Sequence, residues 1–299
     1  MEKISEREFN PQLSVIITTI GQFQGLNQGL FDKIFFGNPF CPTGKDNPAY
    51  NPQILRQACS GLTFKDKLIL NMPVCPLEDE LLGITKILDT AREEGIPGVS
   101  VSSYGMAAWI RRDYPELKIY FDSFSNVYSL KDAELFRELG SDAGLLAYEA
   151  GLDECESIMK ESGLEIIIPV FGRFPIAFSR YCFFYPGRLP QECSNQCNDD
   201  YRLSFSGSSE VLQKGRALYS AKRLSMFGHL PLLLSKGLFS FRIEGWIMPV
   251  SEINKTADSL RQMLGGAFNN HAYKELFEIS TYSLCNGFLF AARGEEYIR

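Results

Sequence analysis

Eight short apolar runs, most of them separated by amphipathic stretches, constrain this chain more than any other feature of its sequence. They read as strands at 13–19, 32–37, 67–73, 98–102, 118–122, 144–149, 164–172 and 238–246. Helical spacing fills the gaps. Leu77, Leu81, Ile84, Leu88 and Ala91 recur at intervals of four, three, four and three, which places them on one helix face. Gly95 and Pro97 stop that helix. Ser129 caps a helix that runs to Leu139, and Gly140 closes it. Further helices are expected over 103–113, 152–162 and 251–264, with a hairpin in the polar stretch after residue 200.

Strands that alternate with helices argue for a parallel α/β fold. About 250 residues for eight such units is the size of a (β/α)8 TIM-barrel-like domain. The runner-up is an open doubly wound sheet, but the glycine fingerprint of dinucleotide binding is absent from this sequence. No linker forces a cut, so residues 1–299 are expected to form a single domain, with a cysteine-bearing loop at about 179–203 inserted after strand seven.

In such barrels the chemistry sits on loops at the C-terminal ends of the strands. Five of the eight cysteines fall there: Cys41 after strand two, Cys75 after strand three, and Cys182, Cys193 and Cys197 after strand seven. Cys59 and Cys155 fall on helices, where core packing is the better reading, because a thiol behaves as a small hydrophobe. Cys285 stays unassigned.

The charged N-terminus lacks the apolar core of a secretory signal, and no apolar run is long enough to span a bilayer. A cytoplasmic location is expected. In a reducing compartment clustered cysteines point to metal or redox chemistry rather than disulfides. The spacing Cys-x10-Cys-x3-Cys matches neither paired zinc motifs nor the ferredoxin run. Three thiolates in one loop need a fourth ligand, for which Cys41 is the natural candidate. Such a set suits an iron–sulfur cluster or structural zinc, and a metal-free loop remains the plain alternative.

The segment "EIIIPVFGRFPIAFSRYCFFYPGRLPQECSNQC" resembles the signature region of the collagenase-like U-32 peptidase family. Within it, the likeness is strongest to the branch serving oxygen-independent ubiquinone hydroxylation. It extends to "IFFGNPFC" around Cys41, "LAYEAG" around Glu149 and "CNGF" at Cys285. Tyr181 departs from the pattern, which has an arginine beside the cysteine. The resemblance implies a barrel that holds a 4Fe–4S cluster on Cys41, Cys182, Cys193 and Cys197. It also implies hydroxylation without dioxygen, with prephenate as oxygen donor and a second family member as partner in a heterodimer.

Peptidase activity is not expected, because the chain has no HExxH, no GxSxG and only two histidines. A carboxylate ligand would need arginine forks at the rim. Arg173 and Arg180 flank the end of strand seven, and Arg242 lies in strand eight. A structural salt bridge of Arg242 with Glu149 or Glu244 is the competing reading. Glu149 is a candidate acid or base, with a structural carboxylate as its alternative.

Three functions follow. The first is a cluster-bearing subunit of an anaerobic hydroxylase that acts on a quinone precursor. The second is an RNA-hydroxylating protein of the same family. A net charge of −6 argues mildly against nucleic acid, as does a chain that ends soon after the barrel, where those relatives usually carry a further domain. The third is a zinc-bound, non-catalytic binding module.

Overall fold

A computed structural model describes residues 10–41, 47–60, 62, 64–180, 201–203, 211–266 and 284–290; for 201–203 and 211–214 only the backbone is described. Eight parallel strands close into a barrel. In chain order they are β1 (Gln12–Ile17), β2 (Lys33–Phe36), β3 (Leu68–Asn71), β4 (Gly98–Val101), β5 (Lys118–Phe121), β6 (Ser141–Gly144), β7 (Glu165–Gly172) and β13 (Ser240–Glu244). The last strand closes the circle by pairing in parallel with both β1 and β7.

Alternation along each strand decides what faces inward. Leu13, Val15 and Ile17 of β1 join the outer core, while Ile16 joins the lumen cluster with Phe35, Ile69, Tyr120, Ala143 and Ile167. The outer core packs against helices α1 (Ile20–Gly25), α2 (Pro52–Cys59), α3 (Leu81–Glu93), α4 (Tyr104–Asp113), α5 (Leu130–Glu138), α6 (Leu152–Ser162) and α8 (Val250–Leu264). Ser103 and Ser129 accept hydrogen bonds from backbone N–H groups in the first turns of α4 and α5, as N-caps do.

Two boundaries differ from the sequence reading. Leu77 is about half exposed and lies before a short 3-10 turn, so α3 starts at Leu81 and keeps only the later members of the apolar face. β6 pairs over Ser141–Gly144 rather than 144–149. Ser141 Oγ donates to the Ile119 carbonyl and anchors the strand early, and the apolar run after Gly144 becomes buried rim.

Between β7 and β13 the chain inserts a four-stranded antiparallel sheet. It contains β8 (Pro175–Phe178), β9 (Tyr201–Leu203), β10 (Val211–Lys214) and β11 (Ala217–Tyr219), in the order β8-β11-β10-β9. The expected hairpin is part of this sheet. β12 (Arg223–Ser225) then returns antiparallel to β7, α7 (Leu230–Ser235) follows, and β14 (Leu284–Cys285) adds beside β12.

Gly172 sits where β7 meets both β12 and β13. Its φ is +120°, and a Cβ there would fall 2.3 Å from the Glu244 carbonyl oxygen. Only glycine allows both the backbone conformation and the close approach.

Candidate active site at the C-terminal mouth of the barrel

The strand β13 ends in "RIE", whose period of two sends Arg242 and Glu244 toward one side, and Trp246 follows just after the strand. They meet Tyr148 from the β6–α6 loop. Arg242 Nε donates to Glu244 Oε1 at 2.8 Å and Nη2 donates to Oε2 at 3.2 Å. Tyr148 Oη and Trp246 Nε1 donate to Oε2 at 2.8 and 2.7 Å. The Arg242 guanidinium also lies over the Phe35 ring, 5.4 Å from its centre. Arg242 and Glu244 are both buried, at 1% and 0% exposure. Burial works against the Arg242 charge, but the Glu244 carboxylate outweighs it and raises the guanidinium above its ordinary pKa. Burial, then Glu244, pushes the Tyr148 phenol well up.

Asp122 follows the last residue of β5, and Ser102 follows the last residue of β4. Ser102 Oγ donates to Asp122 Oδ2 at 2.6 Å, and the Phe124 N–H donates to Oδ1 at 2.8 Å. Removal from water pushes Asp122 up to about 6, against the pull of those donors and of Arg242. A carboxyl of this kind, at a strand end on the functional rim, can exchange a proton near neutrality.

Four aromatic rings close the mouth above this layer. Phe40 contacts Phe124, Phe178 and Trp246 at centroid distances of 5.4, 5.8 and 5.3 Å, and Phe124 contacts Phe178 at 5.3 Å. Each ring follows a strand end or lies on β8, so parallel topology gathers them at one end. Edge-on and tilted packing of this kind excludes water from the polar lumen.

Cys41 comes directly after Phe40. It is partly exposed, and Asn47 Nδ2 holds its carbonyl at 3.0 Å. Tyr50 Oη donates to the Pro39 carbonyl at 3.1 Å. Burial raises the Tyr50 phenol, Glu80 and Cys41 add to that, and Arg180 and Arg216 oppose it. Cys41, Glu80, Arg180 and Arg216 thus all act electrostatically on one phenol.

The other residues expected at the site divide. Arg180 Nη2 pairs with Glu80 Oε1 at 3.0 Å on this same mouth. Arg173 is buried and donates to the Ser220 carbonyl in the insert. Arg242 has Glu244, not Glu149, as its ion-pair partner. Glu149 is exposed and accepts from Tyr128 Oη at 3.3 Å. Cys59 and Cys155 are buried in the helical layer, where burial pushes their thiols up to about 11 and about 12. Cys75 is exposed at the mouth, and Cys285 is buried in β14. Cys182, Cys193 and Cys197 lie outside the described residues. Among the described residues no three His, Cys, Asp or Glu side chains converge as a metal site.

Sequence reading missed Asp122, Tyr148, Trp246 and Arg216. Trp246 carried the signal of an aromatic residue just past a strand end. Asp122 carried the signal of a carboxylate at a strand end. Nothing in the sequence marked Arg216.

The sequence pattern of peptidase family U32 matches residues 31–299. The chain belongs to that family. Among curated U32-like relatives, tRNA hydroxylation protein P of Helicobacter pylori (strain ATCC 700392 / 26695) is 27% identical over 185 residues, which is 57% of this chain and 44% of that protein. The 23S rRNA 5-hydroxycytidine C2501 synthase of Escherichia coli (strain K12) is 23% identical over 203 residues, 66% of this chain and 30% of the relative. The chain therefore spans less than half the length of these U32 relatives. A solved structure of the U32 peptidase Mk0906 covers 83% of this chain and 97% of its own, at 13% identity and a TM-score of 0.48. Among the described residues, no helix is long and apolar enough to cross a membrane.

Proposed function

We propose that this U32 chain is the 4Fe–4S subunit of an oxygen-independent hydroxylase. Its cluster ligands are Cys41, Cys182, Cys193 and Cys197. The observation that carries this reading is the position of Cys41, partly exposed and directly after Phe40 of the aromatic layer at the barrel mouth, where Arg180 pairs with Glu80. Arg180 is followed in the sequence by the segment that carries the other three cysteines. A partly exposed cysteine above a sealed aromatic layer suits a thiolate ligand at the edge of a dry site. Four thiolates favour iron–sulfur over harder metals, and such a cluster supplies electron transfer. The hydroxylation proteins among the relatives support the reaction class.

In this reading prephenate is the oxygen donor, a quinone precursor is the acceptor, and a second U32 member completes a heterodimer. The protein's own groups then have definite work. The Phe40, Phe124, Phe178 and Trp246 rings keep water out. Asp122, near neutral pKa, holds or releases a proton at its Oδ atoms. Arg242 and Glu244 keep the lumen rigid.

A second reading, RNA hydroxylation, is favoured by the tRNA and rRNA hydroxylation proteins among the relatives. A strain lacking this chain, grown without dioxygen, separates the two. Mass spectrometry of both pools is expected to show a quinone precursor that has lost one hydroxylation, with tRNA and rRNA unchanged. Loss of a hydroxyl from RNA instead would replace the first reading by the second.

A further inference from the structure

Arginines in protein interiors are paired, because a buried guanidinium without acceptors forfeits its hydration for nothing. Arg173, Arg180 and Arg242 obey this rule through Ser220, Glu80 and Glu244. Arg216 does not. It is 2% exposed, and no described residue offers an acceptor to its Nε or Nη1. These two nitrogens lie on the two different donor edges of the guanidinium, each shared with Nη2, so each has an N–H to offer to a carboxylate oxygen.

Its position is built, not incidental. The Arg216 carbonyl accepts the Ser179 N–H at 2.8 Å, and the next residue, Ala217, pairs with Phe178 of the aromatic layer. The β10–β11 turn is thereby pinned to β8 at the barrel mouth. The Arg216 charge reaches Tyr50, as do those of Arg180 and Glu80. Arg180 follows Ser179 in the chain, so a second arginine comes directly after the residue to which Arg216 is pinned. The Arg180 and Glu80 side chains are both about a quarter exposed, so that ion pair is the accessible edge of the group.

We propose that Arg216 is the receptor for a carboxylate of a small organic acid that binds at the barrel mouth. A carboxylate oxygen of the ligand accepts from an orphaned N–H of Arg216, at Nε or Nη1. In a dicarboxylate, the second displaces Glu80 from Arg180. The aromatic rings of Phe40 and Phe178 form the apolar wall beside it. The inference extends the reading of a carboxylate oxygen donor by naming the side chain that would hold it, yet it stands on the orphaned guanidinium alone.

The test uses the full chain, purified anaerobically, and titrates prephenate, malonate and chloride by calorimetry. Wild type is compared with Arg216→Met and Arg216→Lys, and the thermal midpoint and iron content of each are recorded. Wild type is expected to bind a dicarboxylate saturably and chloride not at all. Arg216→Met should weaken binding at least about tenfold, and Arg216→Lys, which keeps the charge but not the planar set of donors, by a smaller factor. Without ligand, Arg216→Met should melt no lower than wild type, because an uncompensated charge has been removed. Arg216-dependent binding of malonate but not prephenate would keep this inference and remove prephenate from the proposed function. No saturable dicarboxylate binding to wild type would overturn the inference. So would equal binding by wild type and Arg216→Lys, or a lowered unliganded midpoint in Arg216→Met with unchanged affinity.

Discussion

Glu244 and Arg242 sit two residues apart on one strand, and their side chains meet inside the barrel with Arg242 Nε 2.8 Å from Glu244 Oε1. The same carboxylate takes hydrogen bonds from Tyr148 and Trp246, so three side chains share one buried anion. A buried pair of this kind is neutral as a unit and costly when halved.

Replacing Glu244 by Gln leaves the Arg242 charge without a counterion. Urea unfolding is expected to show a loss of about 3–5 kcal/mol. The double variant Arg242→Met, Glu244→Leu removes both charges and should lose clearly less than Glu244→Gln alone. Equal losses would mean that the lumen pair is not a coupled unit.

Asp122 gives the fold a pH signature of known sign. Its folded pKa, about 6, is above the ordinary carboxylate value. Between about pH 4 and 6 the native state therefore holds a proton that the unfolded state has lost. Stability from this group is fully present below pH 4 and lost as pH rises through 6. Other carboxyls, such as Glu156, which Lys160 and Lys236 lower to about 2, act in the opposite sense at lower pH. The wild-type minus Asp122→Asn difference isolates the effect. That difference in unfolding free energy should fall by up to about 3 kcal/mol from pH 4 to pH 7. A flat difference would show that Asp122 titrates normally.

Gly172 at φ +120° approaches the Glu244 carbonyl too closely for any side chain. Gly172→Ala should cost at least about 2 kcal/mol, from backbone strain plus the displaced strand contact. Thermal unfolding checks the size. Gly163, also at positive φ but with nothing near its would-be Cβ, is the comparison, and Gly163→Ala should cost visibly less.

The aromatic layer is testable through Trp246, which is 5% exposed beneath Phe40. Phe40→Ala is expected to cost about 3–5 kcal/mol and to shift the tryptophan emission to the red as water reaches the ring. Unchanged emission would show that the layer does not seal the lumen.

How far the fold could be read in advance depends on where its information sits. Strand periodicity and helix stops are local, so eight strands and their order were legible from runs such as "LSVIITT" and "LEIIIPVFG". β6 was misplaced because "GLLAYE" is as apolar as a strand, while the residue that anchors the pairing is the polar Ser141. Candidate arginines stand out in the sequence by their place at the end of strand seven or in strand eight, but partners decide an arginine's role, and partners are tertiary. Arg242 found Glu244 on its own strand and Arg180 found Glu80 from far along the chain. Arg216 stood out only once its surroundings showed no acceptor. The mouth position of Cys41 was legible, because barrel topology alone sends the end of β2 there.

The central claim is that Cys41, Cys182, Cys193 and Cys197 hold an iron–sulfur cluster. The direct measurement is iron and acid-labile sulfide per chain, with a visible spectrum, on anaerobically purified wild type and Cys193→Ala. The account predicts about four irons and four sulfides, a broad absorption near 400 nm, and loss of all three in the variant. Zinc in place of iron, or no metal with an unchanged variant, would contradict it and leave a structural loop after strand seven.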